Sequence, residues 1–337
     1  MPAIPAKALR VASLSIAVIL TVVVFLRLPT RTGYDHSSFA VQPEKHVDWS
    51  RFAYIQYVTD TDYLCNSVML FEALQRLGSK ADRLMMYPEG FSVADGDDSR
   101  QAKLLRFARD KYGAKLNPIH VQSRDGGDRT WAESYTKLLA FNQTQYDRVL
   151  SLDSDSTVLQ SMDELFLLPS CPVAMPRAYW LNPNDRVLSS QVVLIQPSKS
   201  EFDRIMTAIN NAGSNEYDME IVNDLYKDSA LVLPHRPYDL LTGEFRSKTH
   251  EDYLGNSLEK WDPSAIFEEA KYLHFSDWPV PKPWIQAPEH VIEEKKPTCD
   301  FNPMTNKEDD CRALNIWLGV YEDFKKRRES ICNTDGG

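Results

Sequence analysis

Two aspartates separated by one residue end a short apolar run, Arg148-Val-Leu-Ser-Leu-Asp153-Ser-Asp155. In extended chain, residues i and i+2 project to the same side, so both carboxylates face one ligand. Two ionised carboxylates that close repel each other, and a divalent cation is the simplest partner that makes their joint ionisation favourable. A calcium-loop reading fails, because no glycine follows at the required place and no late bidentate Glu completes the loop. A second constellation lies far downstream, in His274-Phe-Ser-Asp-Trp-Pro-Val-Pro-Lys282-Pro-Trp284. His274 follows the apolar Tyr272-Leu273 and offers an imidazole nitrogen to a metal. Lys282 stands between prolines with Trp284 close behind, a stiff setting for a point charge aimed at phosphate.

Groups so far apart in sequence need a frame that brings them together. The apolar and aromatic run 52–58 predicts a strand. Over 63–77, Leu64, Val68, Phe71, Leu74 and Leu77 recur at helical spacing before Gly78, a helix stop. The alternation continues with a strand at 83–87, a helix at 99–112, a strand at 116–121 and a helix at 130–141 opened by a Thr130-x-x-Glu133 capping box. Arg148–Leu152 is the next strand. Further strands are expected at 191–195 and Leu231–Leu233, with helices at 200–211 and Asp218–Tyr226. The 234–263 stretch has no clear period and reads as a long loop that contacts substrate, and Asp95-Gly96-Asp97-Asp98 as a solvated one. Strands separated by helices of this length imply an α/β fold with a mostly parallel sheet and right-handed crossovers, whose ligands collect at the carboxyl ends of the strands.

Composition bounds the partners. With 337 residues, 43% apolar and 26% charged, 13 glycines and 20 prolines, the chain is neither collagen-like nor low-complexity, and it predicts one large domain with appendages. Acids outnumber bases 48 to 38, and a net charge of -10 has the wrong sign for a nucleic-acid binder. A compact anionic ligand remains compatible, held by local cations and a metal. Val11 to Leu26 is almost wholly apolar between Lys7 and Arg10 on one side and Arg27 and Arg31 on the other. It reads as a transmembrane signal anchor (11–28) after a cytosolic tail (1–10), followed by a stem (29–50), a catalytic domain (51–290) and a Cys-containing segment (291–337). A cleaved signal peptide is the competing reading, but no small-x-small pattern follows the run. The glycosylation acceptor Asn142-Gln143-Thr144 agrees with a lumenal setting. So does the clustering of Cys299, Cys311 and Cys332, three of five cysteines, which implies a disulfide of open pairing and leaves an odd thiol. Cys65 and Cys171 sit among apolar neighbours and read as buried thiols.

Taken together, the motifs resemble the family 8 glycosyltransferases, the retaining enzymes that include glycogenin, and in particular a fungal branch of Golgi N-acetylglucosaminyltransferases. The matching stretches are Tyr57-Val-Thr-Asp-Thr-Asp-Tyr63, Ser134-Tyr-Thr-Lys-Leu-Leu-Ala-Phe141, Tyr146 to Asp155, Ser189 to Ser198, Asp218 to Asn223 and His274 to Trp284. They run from Phe52 to about Pro288, and their order and spacing carry the specificity. The resemblance implies a Rossmann-like, nucleotide-sugar-binding fold of GT-A type and a type II protein of the Golgi membrane with its catalytic domain in the lumen. It implies that Asp153, Asp155 and His274 ligate a manganese ion that grips the diphosphate of a UDP-sugar, and that Lys282 neutralises the leaving diphosphate. Thr59 and Tyr63 resemble the nucleoside-binding pair, the Tyr63 ring being suited to stack on uracil. Lys137 matches a lysine near the sugar and Asp218 an acid that contacts the donor sugar or acceptor; a helix-surface charge and a helix cap are the structural alternatives. The implied reaction transfers a sugar, N-acetylglucosamine by resemblance to the fungal branch, to a mannose-rich glycan.

The chain departs from the family pattern in places. Asp277 takes a glycine position and two extra residues precede Lys282, so this loop must close differently. The usual Asn-Ser-Gly segment reads Ser189-Ser190-Gln191, and the Asp-Gln-Gly segment reads Asp218-Met219-Glu220, which leaves donor and acceptor specificity open. Two other readings compete. Val149 to Thr157 also resembles the first motif of haloacid-dehalogenase-type phosphatases, with Asp153 as nucleophile and Asp155 as acid and base, but that fold puts the motif on its first strand and an acidic pair on a later one, whereas here a sheet is half built before Asp153 and Asp309-Asp310 sits in a cysteine-bounded tail. A lumenal protein that binds a glycan or nucleotide without turnover is the third, although Asp153, Asp155 and His274 are all in place.

Overall fold

The computed structural model describes residues 47–123 and 133–333. The described residues from Trp49 onward form one compact unit, built on a seven-stranded sheet in the order β3-β2-β1-β4-β7-β6-β8. Its strands are β1 (Phe52–Tyr57), β2 (Asp82–Pro88), β3 (Ala114–Ile119), β4 (Arg148–Leu152), β6 (Val173–Pro176), β7 (Val192–Ile195) and β8 (Leu231–Leu233). β3, β2, β1 and β4 are mutually parallel, and β7 runs antiparallel to both β4 and β6. The expected α/β architecture with a mostly parallel sheet is therefore present.

Alternation along the strands assigns side chains to two cores. Ala53 and Ile55 of β1 and Val149 of β4 pack in one cluster, Tyr54, Leu150 and Leu152 in the other. β4 is buried at all five positions, which is why apolar residues stand on both of its faces, Arg148 and Ser151 being its buried polar members. One face carries the helices α1 (Thr61–Arg76), α2 (Arg100–Tyr112) and the C-terminal α5 (Arg312–Cys332). The other carries a 3-10 helix (Ser134–Asn142), α3 (Lys199–Asn211) and α4 (Asp218–Tyr226). α1 starts where Asp60 Oδ1 accepts the amides of Asp62 and Tyr63 at 2.8 and 2.9 Å.

A small second sheet, in the order β5-β10-β9, comprises β5 (Ser156–Val158), β9 (Leu240–Leu241) and β10 (Tyr272–His274). β11 (Asp300–Asn302) and β12 (Lys307–Asp310) form an exposed hairpin. Several expectations are corrected. The 234–263 stretch holds β9, a 3-10 helix (Thr242–Arg246) and helical turns at His235–Tyr238 and Glu251–Leu254; elements of two to five residues leave no period to detect. Within the helix expected over 130–141 the described part is a 3-10 helix without a side-chain cap from Glu133; Thr130 lies outside the described residues. Cys65 is no buried thiol but pairs with Cys332, 267 residues away, while Cys299 pairs with Cys311 and Cys171 is free. The Golgi-membrane, single-pass placement is also corrected. Among the described residues no helix is long and apolar enough to cross a membrane, and the 11–28 segment lies outside them.

Candidate active site

Asp153 and Asp155 emerge from the carboxyl end of β4, where Ser156 Oγ donates to the Asp153 carbonyl at 2.5 Å and closes the turn into β5. His274 arrives by register: in the antiparallel β5–β10 ladder it sits opposite Ser156, and the amide of Phe275 donates to the Asp155 carbonyl at 3.0 Å. A two-strand ladder thus closes a gap of more than a hundred residues. One ligand atom from each of Asp153, Asp155 and His274 lies within 4.8 Å of the others.

Basic groups surround the acids. Lys282 Nζ lies 2.6 Å from Asp155 Oδ2, and His274 Nε2 is 3.1 Å from Asp155 Oδ1. Burial alone would raise the Asp155 carboxyl; His274 and Lys282 outweigh it and hold the group well below the usual carboxylate range. Asp153 moves the other way. Its burial and the Asp155 charge outweigh the attraction of Lys137 and His274 and raise it.

Lys137 is no surface charge: its side chain is 5% exposed, and Nζ stands 2.8 Å from both Asp153 Oδ1 and Asp218 Oδ2. The 3-10 geometry explains the position, because residues three apart eclipse. Ser134 and Lys137 therefore both reach the start of α4, where Ser134 Oγ accepts the Asp218 amide at 3.3 Å. Asp218 does not cap its helix. Its carboxylate accepts from Lys137 and, at 2.7 Å, from Ser190 Oγ. Burial opposes ionisation here too, but Lys137, Ser190 and Ser134 outweigh it and lower the Asp218 carboxyl.

Thr59 and Tyr63 flank the β1–α1 corner, both half-buried, and the Tyr63 ring meets Trp284 edge-on with centroids 5.5 Å apart. The site also includes residues that pattern reading missed. Tyr57 donates its hydroxyl to Asp153 Oδ1 at 3.3 Å; in sequence it opens the matching Tyr57–Tyr63 stretch at a strand end, with nothing to single it out as a site residue. Ser190 stood out only as a departure from the family pattern. Asp239 sits just before β9, fully buried, with neither carboxylate oxygen in a hydrogen bond of ordinary geometry. Burial, reinforced by Asp153 and only partly offset by Ser189 and Lys137, pushes its carboxyl up to about 8.

Two carboxylates and an imidazole suit a borderline-hard divalent ion. The raised Asp153 and the buried His274 Nδ1 without a partner leave unmet polar demand that such an ion relieves directly or by reorienting the ring, so the residues fit a metal.

The fold is α/β and of GT-A-like architecture, with this cluster at the ends of its strands. Similar in fold are GlyE of Streptococcus pneumoniae in its apo form (TM-score 0.50, 17% identity, 84% of this chain and 64% of that one) and the galactosyltransferase LgtC in complex with donor and acceptor sugar analogues (TM-score 0.50, 13% identity, 83% and 95%). No family model matches the chain. Glucose N-acetyltransferase 1 of Gibberella zeae is 61% identical over 295 residues, 86% of this chain and 64% of that protein. Its namesake in Aspergillus fumigatus is 51% identical over 300 residues, 85% of this chain and 78% of that protein. The chain belongs to the glucose N-acetyltransferase 1 family, a transferase family on a glycosyltransferase fold, as the motifs led one to expect. It spans 64% of the length of the Gibberella relative.

Proposed function

We propose that the protein is a retaining, metal-dependent glycosyltransferase that moves a sugar, N-acetylglucosamine by its family, from a UDP-sugar to a hydroxyl of a mannose-rich glycan. The observation that carries this reading is the approach of Asp153, Asp155 and His274 to within 4.8 Å, with the Lys282 ammonium on Asp155. Those three side chains would hold manganese, which supplies positive charge to a bound diphosphate. Lys282 would add its ammonium to the leaving diphosphate, whose charge grows as the glycosyl bond breaks. Thr59 and Tyr63 would hold the nucleoside, with uracil against the Tyr63 ring. Lys137 and Asp218 would orient the donor sugar.

The bond from the anomeric carbon to the diphosphate oxygen breaks, and a bond to the acceptor oxygen forms on the same face. The acceptor proton passes to the departing phosphate oxygen. A covalent intermediate on Asp218 is disfavoured, because its carboxylate is engaged by Lys137 and Ser190 and its proton affinity is lowered, both of which weaken a nucleophile. The phosphatase reading lacks its acidic pair: Asp309 and Asp310 lie on the exposed β11–β12 hairpin. Incubation of the purified chain with a panel of UDP-sugars and manganese should give transfer with one donor. Asp155→Ala should abolish both transfer and manganese-dependent donor binding, and full activity in that variant refutes the metal assignment.

A further inference from the structure

We infer that Asp277 is a positioning residue, which ties the loop bearing His274 and Lys282 to the C-terminal helix α5 and thereby sets where the Lys282 ammonium stands. The inference rests on the reading of that loop as the one that meets the diphosphate. A carboxylate with no exposed side-chain surface must be paired and hydrogen-bonded to be tolerated. Asp277 is met from two directions. From the 3-10 helix at Thr242–Arg246, Arg246 donates through one nitrogen to the Asp277 carbonyl at 2.7 Å and to Oδ1 at 3.1 Å. From α5, Trp317 Nε1 donates to Oδ1 at 3.2 Å and the Tyr321 hydroxyl to Oδ2 at 2.8 Å.

The rest of the loop is built around this anchor. Ser276 N donates to Thr242 Oγ1 at 3.0 Å, and Val280 N to the Asp277 carbonyl at 2.8 Å. Gly243 lies so close beneath that a Cβ there would stand 2.6 Å from the Ser276 carbonyl. The Phe275 ring packs edge-on against Tyr321 and Phe324 of α5, with centroids 5.2 and 5.0 Å apart. Lys282 then folds back, its ammonium 2.5 Å from the Phe275 carbonyl and 2.6 Å from Asp155. A lysine stem is flexible, so a chain of contacts that fixes its carbonyl partner and its own backbone removes entropy that would otherwise be lost on catalysis. That chain ends on α5, itself clipped to α1 by Cys65–Cys332.

The test uses the full chain with two variants, Asp277→Ala and the milder Tyr321→Phe, and two kinds of readout. The first is hydrogen exchange at the amides of Ser276 and Val280. Loss of the anchor should speed exchange about tenfold in Tyr321→Phe, the worth of one hydrogen bond to a charge, and more in Asp277→Ala. The second is a double-mutant cycle with Lys282→Ala. Each variant should lower kcat by about tenfold with a smaller change in donor KM, and should cost nothing further when Lys282 is already absent. Unchanged exchange in both variants overturns the anchor. Losses that simply add to that of Lys282→Ala overturn the positioning role. If the wild-type chain turns over no UDP-sugar, the reading of the site fails, while the exchange measurement still decides whether Asp277 holds the loop.

Discussion

Lys137 offers the sharpest quantitative test of the site. Its ammonium bridges Asp153 and Asp218 at 2.8 Å each, with the three side chains 5%, 13% and 9% exposed. At an effective dielectric of ~20 each pair attracts by about 6 kcal/mol, most of which is consumed in removing the charges from water. Lys137→Met keeps the packing and strands two buried carboxylates, which should cost about 3–5 kcal/mol at pH 7 in urea denaturation without divalent ions. The sign against pH follows from the directions of the shifts. With Lys137 present Asp218 is held below its unfolded value, so its contribution is present at neutral pH and is lost as pH falls through the folded pKa. Without Lys137 both acids are raised, so the variant loses stability as pH rises above the unfolded value, and the gap between the two proteins should shrink below about pH 4. Lys137→Met combined with Asp218→Asn should recover about 2 kcal/mol of the loss. A single-variant cost under about 1 kcal/mol, or strictly additive costs, refutes the bridge.

Asp239 is raised to about 8 from 3.8, so the folded state holds a proton there that the unfolded chain has given up, and this group lowers stability as pH climbs from 4 to 8. Asp239→Asn should therefore stabilise the protein at pH 7, by up to about 4 kcal/mol, and flatten the fall in Tm between pH 5 and 8; a variant less stable than wild type counts against the neutral acid. Titration of the denatured, unreduced protein with a thiol reagent should find one thiol, Cys171; three or more would contradict the disulfide pattern. Cys65→Ser should cost about 2–5 kcal/mol by calorimetry, and no loss would show that α5 is held without the clip. Gly243→Ala should displace the Ser276 carbonyl and cost about 1–3 kcal/mol, read by Tm together with donor turnover.

Much of the frame is legible because burial there leaves a period. β1, α1, β2 and α2 carry their apolar residues at the spacing their geometry needs, and β4 announces itself by apolar residues on both of its faces. The elements that assemble the site are the ones without such a signal. β5, β9 and β10 have three, two and three residues, so no window holds a repeat, yet the pairing of His274 with Ser156 brings the imidazole to Asp155. Lys137 lies in a segment whose pattern reads as an α-helix, but its two carboxylate partners come from β4 and α4, and the tighter 3-10 winding faces Ser134 and Lys137 the same way. The partner of Cys65 could not be read locally either, since apolar neighbours suit a thiol and a disulfide equally and the choice is made 267 residues on. Asp277 is visible in sequence only as an acid in place of a glycine; what makes it matter are donors at Arg246, Trp317 and Tyr321.

The arrangement of charges also bears on the order in which such a site can fill. Asp155 takes Lys282 on one oxygen and His274 on the other, so without ligands its charge is already compensated by groups of this chain. Lys282 Nζ already directs two of its three donors to Asp155 and the Phe275 carbonyl, so a diphosphate that met the third would share with Asp155 the charge of one ammonium, and that carboxylate, 15% exposed, has little water to compensate. A divalent ion arriving alone gains a carboxylate that is engaged elsewhere, and a diphosphate arriving alone leaves Asp155 short of positive charge. Together each supplies what the other displaces. Under the proposed function, a divalent ion and a diphosphate would therefore strengthen one another's binding, by linkage each by the same factor, with the Lys282–Asp155 contact as the element that couples them.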